Sequence, residues 1–347
     1  MQQHTYIIGE IGQNHNGSVD IAKLIVDLCS RAPIDELFGT ELAPIDAVKL
    51  TKRDLKQELS NSAMSRPYNS PHAFGKTYGE HRAAIELSEE EHFEVYQYAK
   101  EKKLDFVETL CAPACLNMLR LFLPDRLKVA SRDLTNLPLL EAMAETKIPI
   151  ILSTGMASNK ELDDALNTIT KHHNQISILH CLSQYPAEHT RINLRSISHL
   201  QAQYPQYNIG YSDHSIGIMI PVAAVAMGAQ IIEKHITIDR NMKGTDQAGS
   251  LGPDGVRRMV RDIRVLEQCF GIPDLFIDPS VSDARYKLER SIASTHNLPV
   301  GHIITESDLQ MLSPGDGYKW IERQKIIGRK INTFVPANEI IYEKFLE

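Results

Sequence analysis

Cysteine is scarce in this 347-residue chain, and the five that occur, Cys29, Cys111, Cys115, Cys181 and Cys269, are too scattered to form a disulfide framework. Cys111 and Cys115 have no second close pair, so they read as buried thiols rather than zinc ligands. No apolar run is long enough to cross a membrane. Positive charge is not in excess either: the net charge of -7 argues against nucleic acid as the main partner. The start of the chain has no charged segment followed by an apolar signal core, which makes a cytoplasmic protein the expectation. Gly9, Gly12 and Gly17 do not fit the dinucleotide fingerprint, and Gly75-Lys76-Thr77 lacks the Walker glycine, since Ser70 stands there.

What remains, 42% hydrophobic and 23% charged residues, suits a globular chain with one large domain and a small one. One unit recurs along it: a short apolar strand, a polar loop, an amphipathic helix. Strands are expected at 6–11, 47–50, 105–109, 127–130, 150–153, 176–181, 209–212 and 230–236. Helices are expected at 21–30, 89–102, 115–121, 137–145, 159–172, 194–203, 218–227 and 254–270. About eight such units in roughly 270 residues is the rhythm of an α/β fold of the TIM (β/α)8 barrel type, with a doubly wound open sheet as the alternative.

In a barrel the chemistry collects at the C-terminal ends of the strands. The groups found there are Glu10; Lys49 and Thr51; Thr109; Lys128, Ser131 and Asp133; Ser153; Ser183 and Tyr185; Ser212 and His214; and Glu233 and His235. Taken singly, each lysine reads as a solvated strand end and each histidine as a satisfied core residue. Taken together, lysines, hydroxyls and exposed backbone at one mouth suit a ligand with phosphate and carboxylate groups. His214 and His235, on successive units and followed by Gly244-Thr245-Asp246, suit one divalent cation.

The segments GEIGQNHNG (9–17), GKTYGEHR (75–82), ILSTGM (151–156), GYSDH (210–214) and EKHITIDRNMKGTD (233–246) resemble those of the sialic acid synthase family. The resemblance implies a TIM barrel over residues 1–275 and a small antifreeze-like (SAF) domain over 283–347, joined by a linker around 271–282. It implies condensation of phosphoenolpyruvate with an N-acylhexosamine aldehyde, of N-acetylmannosamine type, free or as the 6-phosphate, giving a nonulosonic acid and phosphate. His214 and His235 correspond to the family's metal ligands, for manganese first, with magnesium or cobalt as alternatives. Glu10, Lys49 and Asp246 correspond to catalytic positions. Thr109, Lys128, Ser131, Asp133, Ser153, Ser183, Tyr185 and Ser212 correspond to substrate-binding positions. The implied working unit is a domain-swapped homodimer in which the small domain covers the partner's barrel.

The chain departs from the family at four places. The usual KIGSGE loop reads KVASRD (128–133), which brings Arg132 to the anion site; Thr51 stands where bacterial members have Gln; Gln247 follows Asp246 in place of His; and Ser313 precedes Pro314-Gly315 where bacterial members carry an arginine. Two other readings follow: a related synthase acting on a different aldose, and a non-catalytic carbohydrate-binding protein.

Overall fold

The computed structural model describes residues 4–347 and divides them into two compact units that part between Gly271 and Ile272. In the first unit, eight parallel strands close into a barrel. They are β1 (Tyr6–Gly12), β2 (Ala47–Lys52), β3 (Asp105–Leu110), β4 (Arg126–Val129), β5 (Ile150–Ser153), β6 (Ile176–Cys181), β7 (Asn208–Asp213) and β8 (Ile231–His235). Closure is made by β8 pairing with β1, with Glu10 opposite His235. The open sheet is thereby excluded.

Strand side chains alternate between faces, so each strand sends one set inward and the other toward the helices. The inward set has two layers. Ile8, Ala47, Val107, Ile151, Leu179 and Ile231 form a separate buried apolar plug. Two residues further along the same strands stand Glu10, Lys49, Thr109, Ser153, Cys181 and Glu233, so one step of the pleat turns an apolar plug into a polar floor. Gly210 on β7 faces the plug, where a Cβ would lie 2.6 Å from Leu179 Cδ2; no larger residue fits there. The outward set packs against the helices in one continuous core.

The strand expectations hold with shifts of one or two residues at their ends. Two helices differ. The segment expected as a helix over 115–121 is a 3-10 helix, Pro113–Arg120, whose bonds run from Cys115 N to Ala112 O and from Leu121 N to Met118 O. The helix expected to reach His172 stops at Ile169, where the Thr170 N–H and hydroxyl both turn back to the Leu166 carbonyl. No helix among the described residues is long and apolar enough to cross a membrane.

The second unit carries a helix, Ser282–Leu288, where the sequence reads as linker running into strands. Behind it lies one antiparallel pair, β9 (Ser291–Ser294) and β10 (Leu309–Leu312). Isolated bridges such as Leu298 to Val335 and Ile331 to Leu346 close a small core around Ile292, Ile304, Ile326 and Ile341.

Candidate active site

The polar floor opens into a cavity of about 380 Å³ at the C-terminal ends of the strands. Lys49 and Lys128 stand at its base, 4% and 3% exposed. This overturns the reading of each as a solvated strand end. A buried ammonium needs a countercharge, and the barrel supplies one from the neighbouring strand β1 and another from β8. Lys49 Nζ lies 2.6 Å from Glu10 Oε2 and donates to Thr109 Oγ1 at 2.9 Å. Lys128 Nζ donates to Ser153 Oγ at 2.6 Å. Glu233 sits between them, 3.8 Å from Lys49 and 3.7 Å from Lys128, and accepts from Ser212 Oγ at 3.0 Å.

These four charges titrate against one another. Burial pushes the Glu10 carboxyl up, Lys49 pulls it down and Glu233 pushes it up again; the net position is about 7. Burial acts on Glu233 in the same direction, but the two lysines prevail and hold it at about 2. Burial also lowers Lys128, helped by Lys49, whereas the carboxylates around Lys49 outweigh its burial and hold it above the usual lysine value. One carboxyl poised near neutrality beside a carboxylate fixed as an anion gives the floor one group able to exchange a proton.

The imidazoles of His214 and His235 face the same cavity with ring centres 5.7 Å apart. Tyr185 lies over His214, ring centres 4.0 Å apart. His214 Nδ1 lies 2.7 Å from the Leu182 carbonyl oxygen, so it carries the proton and leaves Nε2 as a free lone pair. His235 Nδ1 is buried without a hydrogen-bond partner, and burial disfavours the imidazolium. Two imidazoles, each with an uncommitted ring nitrogen, fit a divalent cation. His214 and His235 would hold it, with Glu10 beside them across the β1–β8 register.

Most of the expected site residues line this one cavity. Besides the floor, Ser131, Ser153, Tyr185, Ser212 and Asp246 do so. Two do not. Asp133 is buried in the 3-10 turn after β4, where its carboxylate faces Arg132 Nε at 3.4 Å. Ser183 is not part of the lining, and its hydroxyl packs so close to Gly155 that a Cβ on that glycine would strike it. Gly155 is needed for this approach, and its N–H donates to Ser131 Oγ at 3.0 Å.

Sequence reasoning missed Arg53 and Arg82, which also line the cavity. Arg53 was within reach, because it continues the inward alternation of Lys49 and Thr51; it pairs with Glu58 and Glu86. Arg82 was not, since it comes from a helix, Tyr78–Ala84, in a long loop after β2. Its guanidinium donates to the Tyr78 hydroxyl and to Gln13 Oε1, both neutral acceptors.

A closed barrel with a buried, cation-bearing floor and an imidazole pair at its mouth has the layout of a TIM-barrel enzyme. Residues 40–274 match the NeuB family and residues 289–347 match the SAF domain. The N-acetylneuraminate-9-phosphate synthase of Homo sapiens is 32% identical over 348 residues, covering 100% of this chain and 94% of that protein. The N,N'-diacetyllegionaminic acid synthase of Legionella pneumophila is 32% identical over 350 residues, covering 99% and 94%. The crystal structure of an N-acetylneuraminic acid (sialic acid) synthetase from Leptospira borgpetersenii, in complex with citrate, superposes with a TM-score of 0.66 at 31% identity, covering 82% of this chain and 90% of that one. The chain belongs to the NeuB family and is an enzyme with a SAF domain at its C-terminus. The reading of it as a non-catalytic carbohydrate-binding protein is set aside.

Proposed function

We propose that the enzyme condenses phosphoenolpyruvate with the aldehyde of an N-acylhexosamine to give a nonulosonic acid and inorganic phosphate. The observation that carries this reading is the floor itself: two buried lysines, each beside a hydroxyl, at the closed end of a pocket the size of a small sugar acid. Phosphoenolpyruvate carries both a phosphate and a carboxylate, and charge-assisted bonds to both fix its plane.

In this reading Lys49 and Lys128 hold the two anionic groups, and Thr109, Ser131, Ser153 and Ser212 supply directed donors around them. Tyr185 and Asp246 face the sugar. C3 of the enol attacks the aldehyde carbon, the C2–C3 π pair becomes the new bond, and the carbonyl oxygen takes up a proton. Water then adds at the cationic C2 and loses a proton, and the hemiketal so formed collapses: its hydroxyl oxygen becomes the C2 carbonyl, its proton passes to the departing phosphate, and phosphate leaves with the electron pair of the C2–O bond. Glu10, near neutrality and against Lys49, is the group placed to give or receive a proton at these steps. A divalent cation at His214 and His235, manganese by preference, would supply Lewis-acid polarisation of the acceptor carbonyl.

The proposed working unit is a homodimer in which the module from about Asp283 covers the partner's barrel mouth and excludes water. Ser313 Oγ donates to the Leu288 carbonyl at 3.1 Å, so that position offers shape rather than charge. The test is phosphate release from phosphoenolpyruvate with free and 6-phosphorylated N-acylhexosamines, and with non-acetamido aldoses, before and after chelation. Release with an N-acylhexosamine that chelation abolishes supports the proposal. Release only with other aldoses moves the acceptor class, as Arg132 in the cavity wall would favour.

A further inference from the structure

We propose that the C-terminal unit carries a second divalent-metal site, of the zinc type, formed by His296, His302 and Asp308. The site is independent of the barrel chemistry and of the function proposed for it.

The three side chains come from one connection. His296 is the second residue after β9, Asp308 immediately precedes β10, and His302 lies midway along the loop between them. One ligand atom from each lies within 4.8 Å of the other two. His302 Nε2 is 2.8 Å from Asp308 Oδ2, and His296 Nε2 is 3.4 Å from Asp308 Oδ1. Two ligands at roughly 2.0–2.1 Å from one tetrahedral ion stand about 3.3 Å apart. Small side-chain adjustments therefore place all three on one ion. The imidazoles, 6.2 Å apart and crossing at 87°, approach the carboxylate from different sides.

The surroundings already do what ligand support requires. The Thr295 hydroxyl donates to the Ser307 carbonyl at 3.1 Å, so toward His296 Nδ1, at 2.9 Å, it offers a lone pair. His296 then carries its proton on Nδ1, and Nε2 is left unprotonated toward Asp308. Asp308 Oδ2 is fixed by the Thr305 N–H at 2.7 Å and the Thr305 hydroxyl at 3.0 Å. His296, with 56% of its side chain exposed, gives an ion a way in, while Asp308 is held inside at 5%. Imidazole nitrogens with one carboxylate suit Zn2+, Co2+ or Ni2+ rather than Ca2+ or Mg2+. Bound there, the ion would pin the loop to the neck of the β9–β10 pair, a metal staple in a unit with a small core.

The full-length chain, stripped by chelation, is titrated with Zn2+ and with Co2+, whose four-coordinate visible absorption reports geometry. Wild type should take up two equivalents, and both His214→Ala/His235→Ala and His296→Gln/His302→Gln should take up one. Thr295→Val, which leaves every ligand in place, should weaken the second site by about 10–100-fold. Trp320, the single tryptophan, lies in this unit and reads its melting, which Zn2+ should raise in wild type and not in His296→Gln/His302→Gln. An unchanged ion count in His296→Gln/His302→Gln, or no uptake by His214→Ala/His235→Ala, overturns the proposal. If either double variant misfolds, Thr295→Val decides: binding equal to wild type rejects the site.

Discussion

Lys234 Nζ lies 2.6 Å from Asp213 Oδ2, both side chains 0% exposed, and each residue stands one place before a histidine of the proposed metal pair. They are register partners across β7 and β8. The outward side of these two strands is thus pinned by an ion pair while the inward side delivers His214 and His235. Asp213 also accepts from the Tyr211 hydroxyl, the Ser215 N–H and the Ser215 hydroxyl, so its lone pairs are filled. Breaking such a pair from one side leaves a buried charge alone and costs about 3–5 kcal/mol. Lys234→Ala should therefore lower the melting temperature by several degrees and weaken divalent-metal binding. A variant that melts and binds metal like wild type would show that the pair positions nothing.

Lys49→Ala removes one cation from the floor and strands Glu10 and Glu233 on that side. We expect a loss of about 10²–10³ or more in kcat/KM for phosphoenolpyruvate, the usual scale for deleting one preorganised anion contact. Steady-state kinetics within threefold of wild type would remove Lys49 from the anion site.

Lys128 carries the alkaline limb of the anion-binding pH dependence. Burial, with Lys49 beside it, lowers its proton affinity from the ordinary lysine value of 10.5, so it becomes neutral at a lower pH than a solvated lysine. The ammonium binds the anion and the amine does not, so kcat/KM for phosphoenolpyruvate, which reports the free enzyme, should fall on the alkaline side below that value. Lys128→Arg keeps its charge throughout this range. Its alkaline limb should move to higher pH even if its rate is lower. A limb that stays in place assigns the titration to another group.

The barrel was legible because its signal is local: alternation within four to seven residues marks each strand and its inward set. The burial of Lys49 and Lys128 was not. Their countercharges lie far from them in the chain: Glu10 meets Lys49 only through the β1–β2 pairing, and Glu233 reaches the lysines only when β8 closes on β1. Arg82 escaped for a related reason, since a helix in a long loop delivers it and no strand period points there. Asp133 and Ser183 differ in the opposite sense. Each follows a strand end in sequence, yet neither lines the cavity: the Asp133 carboxylate turns to Arg132, and the Ser183 hydroxyl packs close to Gly155. The His296, His302 and Asp308 cluster spans one loop at spacings that match no metal-binding pattern, and only the β9–β10 pairing brings its ends together.

Asp308 supplies a pH test of the C-terminal unit in metal-free protein. Burial alone would raise its carboxyl, but the His302 ring N–H, the Thr305 N–H and the Thr305 hydroxyl all favour the anion, and the net shift is downward from 3.8. A depressed folded value means that the unfolded chain takes up the proton first as pH falls. The stabilisation is therefore fully present above about 3.8 and is lost as pH drops through the lower folded value. Asp308→Asn keeps the shape and one acceptor oxygen but gives up the charge. At pH 7 it should cost this unit about 1 kcal/mol, the scale of a charge-assisted bond made neutral. Below pH 3.8 its deficit against wild type should shrink toward zero. Amide hydrogen exchange across β9 and β10, or Trp320 fluorescence against urea, measures both arms. A deficit constant from pH 7 to pH 3 would mean that Asp308 acts here through its shape and not through its charge.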